Sequence, residues 1–494
     1  MSAVQRSILF SAAERYGGLL LFFASSAVLS RLLTPAEFGV YAVINAIIAV
    51  ITASFQEFGG ANYLIQKRDL SEQNVRTAFT ITFCISLTVA VALILSTDML
   101  VWFFKQDGLG RSMAISALSF ALTPFSGVIS ALLRRDMAFG RLAICNLVAN
   151  SIGAAVSIVL AIHHFSFMAP IWGGVASNLA LTIVLIASSR SGRLFRPSFR
   201  GSSDVLKFGI YSGGISLINV FYNLAPQIFL ARILDFASVG LYSRATAVTQ
   251  VFDKLVGQVL GPVIMPAVFA ETKAGGTLKH IYLEAASLLA VVQWPFLAFL
   301  AIMAHPIILI WLGPTWLEIV PLVQLLCIAN LALFAACLSY PVLVAAGRVQ
   351  DALISSLISL PPSLVLIFAA SFVSVQAVAA SALLALPFQA AVAIYFISRH
   401  LNIGPKDMLL AVWKAAIVTL SASAPAIFCS IMVEYSLLRP LTGLLLACFA
   451  SAGGWLLCSI VVDHPFVPRL QLAAARLFSS TLLRFRAPAG RNAI

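Results

Sequence analysis

Two opposite charges, Asp253 and Lys254, stand side by side in the middle of a long apolar segment. Ionisable side chains are costly at membrane depth, where they usually mark the pathway of an ion or a substrate. An ammonium group there attracts an anionic group, and a carboxylate there is a candidate for coupling transport to an ion. The alternative is a structural pair whose charges neutralise each other or reach partners on another helix.

The residues around this pair predict one helix with a polar face. At about 100° per residue, the opposite face carries apolar residues such as Phe252, Leu255 and Val259. The polar face consists of Ser243, Thr246, Gln250, Asp253, Lys254, Gly257, Gln258 and Gly261. Such a face favours a helix that lines a central cavity. Arg244 points away from it, and we expect this side chain to reach the membrane interface.

Two further segments carry polar stripes. Before this helix, polar residues recur at helical spacing and Pro226 interrupts the hydrogen-bond ladder, which makes it a candidate hinge. The residues of this stripe are Ser216, Asn219, Asn223, Pro226 and Gln227. The segment 38–56 carries a weaker stripe, which packing between helices explains equally well. Its members are Tyr41, Asn45, Thr52 and Gln56.

The elements that hold these residues are membrane spans. The chain is 61% hydrophobic and 10% charged, with a mean hydropathy of +1.00, which excludes an ordinary soluble domain. Since a bilayer requires about 20 apolar residues per helix, we predict an all-α polytopic membrane protein with about 14 transmembrane helices. The predicted spans are 14–33, 38–56, 78–97, 112–133, 142–162, 168–189, 208–231, 239–269, 283–303, 319–341, 352–372, 376–397, 408–432 and 440–461.

The basic residues are distributed unevenly between the two sides of the membrane. Most of the 31 Lys and Arg residues fall at span ends on the same side as the N-terminus. The positive-inside rule therefore predicts that both termini are cytoplasmic. This bias, together with attraction to anionic lipids, accounts for the net charge of +13 without a nucleic-acid partner.

An internal repeat divides the predicted spans. The sequence SRLLTPAEFGVYA from Ser30 corresponds to ARILDFASVGLYS from Ala231, at the same offset of 201 residues that separates Arg31 from Arg232. Because this offset equals six predicted spans, the two copies are expected to be parallel, around a central transport path. The predicted domains are two six-helix lobes (1–200 and 201–400), two additional transmembrane helices (401–462) and a basic cytoplasmic tail (463–494).

Motifs for several kinds of chemistry are absent from the sequence. No phosphate-binding loop of the form GxxxxGK[ST], no GxSxG and no HExxH occurs, so we expect neither an enzyme nor a bound metal or cofactor. The seven cysteines lie in apolar stretches without a CxxC pair, as is typical of small buried side chains. Transport is the function class that these exclusions favour.

Several segments resemble a known family. Besides the two repeat sequences, they are FGGANYLIQKRDLSE from Phe58, ALLRRDMAF from Ala131, VGLYSRATAV from Val239 and MPAVFAE from Met265. Together they are similar to the polysaccharide-transport (Wzx-like) branch of the multidrug/oligosaccharidyl-lipid/polysaccharide flippase superfamily. The resemblance covers roughly residues 5–350, and the last four spans depend on hydropathy alone.

The resemblance implies a flippase for undecaprenyl-diphosphate-linked oligosaccharide in the bacterial inner membrane, serving exopolysaccharide, capsule or O-antigen synthesis by alternating access. Alternatives are a drug/cation antiporter of the same superfamily and, outside it, a membrane polymerase or ligase. The implied partners are the lipid-linked oligosaccharide and membrane lipids, with a polysaccharide polymerase and export machinery as further candidates. An anionic, hydroxyl-rich head group requires cations and hydrogen-bonding groups along its path. The candidate residues are Arg31, Asn45, Asn219, Asn223, Gln250, Asp253, Lys254 and Gln258.

Overall fold

A computed structural model describes residues 3–58, 61–66, 69–188, 195–199, 220–257, 277–339, 342–343, 348–469 and 471. The regular elements within these ranges are helices. The α-helices are α1 (Ala3–Leu32), α2 (Pro35–Phe58), α3 (Ala61–Gln66), α4 (Glu72–Leu95), α5 (Thr97–Phe104), α6 (Gly108–Arg135), α7 (Phe139–Ile162), α8 (Met168–Ser188), α9 (220–233), α10 (Phe236–Thr249), α11 (Leu278–Ile302), α12 (Ala304–Trp311), α13 (Val320–Asn330), α14 (Val349–Ser371), α15 (Val375–Leu401), α16 (Pro405–Glu434) and α17 (Pro440–Val461). A π-helix (Asp253–Gly257) follows α10, and a 3₁₀-helix (Pro314–Ile319) precedes α13.

The helices confirm the predicted fold class. Within the described ranges, 11 helical segments are long and apolar enough to cross a bilayer. They coincide with predicted spans two to six and nine to fourteen. Helix α1 covers the first predicted span, and the seventh and eighth are described only in part. The chain is therefore an all-α polytopic membrane protein, and the total of fourteen spans stays a prediction.

The repeat sequences form the starts of two equivalent helices. At α2, the Thr34 amide donates to Glu37 Oε2 at 2.7 Å, and the Glu37 amide donates to Thr34 Oγ1 at 3.4 Å. At α10, the Asp235 side chain accepts a hydrogen bond from the amide of Ser238 at 2.7 Å. These side chains satisfy amides that have no partner within the helix. The repeat residues Thr34 and Asp235 are thus both N-caps.

The chain forms two compact units. The first consists of Met1–Leu255, Ile308–Leu322 and Leu364–Ser381, and the second consists of Val256–Ile307, Val323–Ser363 and Ala382–Ile494. The predicted lobes and the two additional helices stay predictions, and most of the predicted tail lies outside the described residues.

Small residues bring helices together in the first unit. Where α7 meets α8, a Cβ at Gly173 would lie 1.8 Å from Ser157 Oγ and 2.6 Å from the Gly153 carbonyl oxygen. Such distances leave no space for a methyl group. Close backbone approach through glycine and serine is the usual way in which membrane helices associate, because lipid and side chains are equally apolar.

A buried histidine after α17 contacts α11 in the second unit. His464, which follows α17, is fully buried, and its Nε2 lies 3.2 Å from Ser287 Oγ on α11. Its Nδ1 accepts a hydrogen bond from the Phe466 amide at 3.2 Å, so the ring proton is on Nε2. Burial, with a smaller effect of Lys414 on α16, lowers the pKa of His464 below its usual 6.5.

We expect this histidine to make the second unit less stable in mild acid. Because the pKa of His464 is lower in the folded protein, the unfolded chain binds the proton first as the pH falls. The contribution of neutral His464 to the free energy of unfolding is therefore fully present above about pH 6.5 and is lost progressively below it. The thermal midpoint of the purified protein should therefore fall between pH 7.5 and pH 5.5 by more than that of His464→Gln. Equal falls in the two proteins would show that His464 is not responsible.

Candidate functional site

Helices α2 and α10 of the first unit cross at two glycines. A Cβ built at Gly39 would lie 1.6 Å from the carbonyl oxygen of Phe236 and 3.1 Å from the amide nitrogen of Gly240. A Cβ built at Gly240 would lie 1.9 Å from the carbonyl oxygen of Pro35. The two backbones are therefore in direct contact, and any side chain at either glycine would force them apart.

The contacts at this crossing are reciprocal under the repeat. Gly39 and Gly240 are equivalent at the offset of 201 residues. So are the residues they contact, because Gly39 meets Phe236 and Gly240 meets Pro35. Each helix thus presents the same glycine, one turn from its start, to the same position of the other. This arrangement supports the predicted repeat, in which α2 and α10 are equivalent helices.

Lys254 lies against an aromatic ring of α1. Its Nζ is 3.7 Å from the ring centroid of Phe22, within the range of a cation–π interaction. No ion pair within 4 Å joins Lys254 to the exposed side chain of Asp253, although the two residues are neighbours. Both belong to the π-helix, a rare geometry that is frequent at functional sites. The two charges are thus neighbours without a direct ion pair, and their role, as a structural pair or as groups that line a cavity, stays a prediction.

Arg244, which we expected to reach the membrane interface, lies instead among side chains of three other elements. Its guanidinium carbon is 3.6 Å from the ring centroid of Phe38 on α2 and 5.9 Å from that of Trp316. Its Nη1 donates to Ser26 Oγ on α1 at 2.8 Å. The expectation was wrong because the aromatic partners belong to distant parts of the sequence. Arg244 is the main candidate that the sequence analysis missed.

The segment from α12 to the 3₁₀-helix contacts α1 near its C-terminal end. Trp316, fully buried, donates its indole N–H to the Ser30 carbonyl oxygen at 2.7 Å, and Trp311 donates to the Phe23 carbonyl oxygen at 3.1 Å. The candidate Arg31 donates from Nη2 to the Ile310 carbonyl oxygen at 2.9 Å. Its repeat equivalent, Arg232, lies 5.4 Å from the ring centroid of Phe103 on α5. Arg31 thus contacts this segment rather than the region of Lys254.

The other predicted candidates belong to several elements. Asn45, Asn223 and Gln250 are exposed on α2, α9 and at the end of α10. Pro226, the predicted hinge, is buried within α9, which continues as a helix on both sides of it. Asn219 and Gln258 lie outside the described residues, as does Ser216. The roles of these residues stay predictions.

Two cations, one on α10 and one on the π-helix that follows it, lie against α1. Lys254 contacts Phe22 and Arg244 contacts Ser26, one helical turn further along α1. Within the described residues, no carboxylate lies within 4 Å of either cation. Positive charge without an acidic partner is suited to attracting an anionic group. Among the described residues, no group of three or more His, Cys, Asp or Glu side chains could hold a metal ion.

Comparison with known sequences identifies related proteins. A family model described as "Polysaccharide biosynthesis protein" matches residues 28–321. The "Lipopolysaccharide biosynthesis protein WzxC" of Escherichia coli (strain K12) is 24% identical over 308 residues, 62% of this chain and 62% of that protein. The "Succinoglycan biosynthesis transport protein ExoT" of Rhizobium meliloti (strain 1021) is 23% identical over 66% of each chain. This chain thus aligns with less than two thirds of the length of these two relatives.

Solved structures share the fold. The structure titled "Lipid II flippase MurJ, inward closed conformation" has a TM-score of 0.73 at 13% identity, covering 93% of this chain and 100% of that chain. A multidrug resistance MATE family transporter of the MOP superfamily, in an inward-facing conformation, has a TM-score of 0.64 at 13% identity and covers 78% of this chain and 94% of that chain. At such low identity these similarities establish the fold alone.

Proposed function

Because this chain belongs to the polysaccharide biosynthesis protein family, we propose that it moves lipid-linked oligosaccharide across the bacterial inner membrane. The substrate class is an oligosaccharide joined through a diphosphate to a polyprenyl lipid. The lipid tail stays in the bilayer, while the anionic and hydroxyl-rich head group crosses along a polar path.

The pair of cations against α1 is the observation that carries this proposal. A diphosphate needs positive charge at membrane depth, where water does not compensate its own charge. Lys254 and Arg244 supply such charge without a carboxylate among the described residues within 4 Å. A site for cationic drugs would instead favour an acidic cavity, so this geometry favours an anionic substrate.

The glycine crossing supports transport by alternating access. In this proposal the contact of α2 with α10 is the closed state of the path, and a head group passing between these helices would require them to separate. The exchange of two packed arrangements is a common form of conformational switching. No catalytic step is part of this proposal, and neither polymerase nor ligase activity is needed to explain the site.

Deletion of the gene in its native bacterium tests this function. Lipid-linked repeat units should accumulate on the inner leaflet, surface polysaccharide should be lost, and the intact gene should restore it. Purified protein in proteoliposomes should also move a fluorescent lipid-linked oligosaccharide between leaflets. Normal surface polysaccharide in the deletion strain, without accumulation, would contradict the proposal.

We further propose that both termini face the cytoplasm, with Arg31 and Arg232 at the periplasmic end. Ser198, near the predicted cytoplasmic end of α4, donates its amide to Thr80 Oγ1 at 2.8 Å, which makes it a poor labelling position. Phe199 is 65% exposed, and Lys105 is exposed at the opposite end of the predicted spans.

In a variant without the seven native cysteines, an impermeant thiol reagent is expected to distinguish the two sides. Lys105→Cys should react in intact cells, whereas Phe199→Cys should react only after permeabilisation. The physical reason is the excess of basic residues that the positive-inside rule keeps in the cytoplasm. Labelling of Phe199→Cys in intact cells would reverse the proposed orientation.

A further inference from the structure

The segment 308–322, here called the strap, belongs to the first compact unit, although the residues on both sides of it in the sequence belong to the second. It consists of the end of α12, a turn at Gly313 and the 3₁₀-helix. Gly313 has a φ of 102°, a conformation that suits glycine because other residues rarely adopt it. The chain thus enters the first unit for one short excursion and leaves it again.

The strap and α1 cap each other's C-terminal ends. The last four carbonyl groups of an α-helix have no partner within the helix. On α1, which ends at Leu32, the Ser30 carbonyl accepts the indole N–H of Trp316 at 2.7 Å. On α12, the Ile310 carbonyl accepts from Arg31 Nη2 at 2.9 Å, and a cation suits the partial negative charge of a helix C-terminus. Each helix end thus supplies a partner that the other lacks.

Trp316 also packs against both helices of the glycine crossing. It is fully buried, and its ring centroid lies 5.4 Å from that of Phe38, the neighbour of Gly39 on α2. The guanidinium carbon of Arg244 on α10 lies 5.9 Å from the same ring. One rigid side chain therefore contacts α1, α2 and α10. Separation of α2 from α10 would break at least one of these contacts.

The predicted repeat contains this arrangement twice, with the copies exchanged. In each copy a long helix is followed, after one residue, by a helix of eight residues: α4 by α5, and α11 by α12. Alignment of the two short helices makes Phe103 equivalent to Ile310. Arg31 contacts Ile310, and its equivalent Arg232 lies 5.4 Å from the ring centroid of Phe103. The arginine of each copy therefore contacts the short helix of the other copy.

The two exchanged contacts differ in strength. Three hydrogen bonds join the strap to α1, two from the indoles of Trp311 and Trp316 and one from Arg31. Arg232, in contrast, lies close to the outer limit of a cation–π interaction, which is about 6 Å. Trp102 of α5 is 77% exposed, whereas Trp316 is fully buried. The strap is thus the more firmly held of the two short segments.

We propose that the strap is a lock on the closed glycine crossing, so that α2 and α10 separate only when Trp316 leaves α1. This inference rests on the proposed transport by alternating access and adds to it the residues that hold one of the two states. Trp316 and Arg31 are positioning residues in this lock. They contact the strap and α1 rather than the substrate, and they set the equilibrium between the closed and the open arrangement.

Distances between pairs of spin labels test the lock in purified full-length protein in nanodiscs, without the seven native cysteines. Leu32→Cys with Thr315→Cys, both at exposed positions, reports the strap on α1. Ala36→Cys with Ala237→Cys reports the separation of α2 from α10. Trp316→Phe keeps an aromatic ring and removes the N–H donor. It should raise the population with long distances about twofold to tenfold in both pairs, because one net hydrogen bond contributes a factor of that size.

The chain offers matched controls for this change. Trp102→Phe removes an exposed indole N–H from α5 and should leave both distances unchanged. Arg31→Lys keeps the cation and should retain more of the short distances than Arg31→Ala. Arg232→Ala removes the weaker contact and should have a smaller effect than Arg31→Ala. If Trp316→Phe does not fold, Trp311→Phe removes the other indole hydrogen bond and should lengthen the same two distances.

The outcomes separate the lock from the function on which it rests. A coupled increase of both distances supports the lock. A longer strap distance with an unchanged distance between α2 and α10 would overturn it, as would no change in either pair or an equal change with Trp102→Phe. Normal surface polysaccharide after deletion of the gene would contradict the proposed function, while the two distances would still decide the lock.

Discussion

Alanine at Gly39 or at Gly240 is expected to lower polysaccharide export by about tenfold or more, because added volume in a tightly packed contact costs about 1–3 kcal/mol. A methyl group at either position would meet a backbone carbonyl oxygen within 2 Å, at 1.6 Å and 1.9 Å respectively. The closed arrangement of α2 and α10 would then be disfavoured relative to the open one. Complementation of the deletion strain, with surface polysaccharide as the readout, measures the effect.

The matched control is Gly127→Ala in α6, where a Cβ would meet no described atom within 4 Å. Alanine is favoured over glycine in a helix by about 1 kcal/mol, so all three changes should help the helix itself. Normal export with Gly127→Ala and reduced export with Gly39→Ala would locate the effect at the crossing. Protein levels in the membrane must be equal. Full export with both crossing variants would show that this contact need not re-form during transport.

Loss of the ammonium at position 254 should have a comparably large effect. Lys254→Ala is expected to reduce export by about tenfold to a hundredfold, the equivalent of one charge-assisted hydrogen bond of about 1.5–3 kcal/mol. Lys254→Arg keeps the positive charge and should retain much of the export. Measurement of surface polysaccharide at equal protein levels, with proteoliposome transport as a second assay, provides the comparison.

The alternative role for Lys254 is structural, with Asp253 as the group that offsets its charge. The double variant Asp253→Asn with Lys254→Gln removes both charges and relieves the cost of holding either in the membrane. If the pair were structural, this variant would export normally. We expect it to fail as Lys254→Ala does, because the structure shows the ammonium on Phe22 and no ion pair with Asp253. Asp253→Asn alone tests the separate prediction of ion coupling.

The sequence predicts the membrane fold well, because hydropathy and the spacing of apolar segments act locally. The repeat also locates features of the structure: the N-caps Thr34 and Asp235 and the crossing glycines Gly39 and Gly240 all belong to the two matched segments. What local rules cannot provide is which side chains meet across long separations. The sequence match therefore identifies the equivalent N-caps and glycines, but it does not show that the two glycines contact the other helix.

Arg244 illustrates this limit. Its ring partner Phe38 and its hydroxyl partner Ser26 are each more than 200 residues away in the sequence, and neither residue type signals a cation-binding role. The helical projection also assumed about 100° per residue throughout, whereas Asp253–Gly257 is a π-helix with a wider turn. The angular spacing assumed for the predicted polar face therefore does not hold at Lys254. Sequence spacing identified the lysine but could not give its direction or its second cation.

The reciprocal glycine contact also shows where the two repeats of the chain differ. A contact that maps onto itself under the repeat is the geometry of an isologous interface in a homodimer, in which each mutation appears twice. In a single chain that contains both repeats, each position can instead carry a different residue. The equivalent of Arg244 in the first half is the fully buried Val43, and the equivalent of Phe38 in the second half is Val239. The second half contributes the cation and the first half contributes the ring. A symmetric dimer of the first half would lack the arginine, and a symmetric dimer of the second half would lack the phenylalanine.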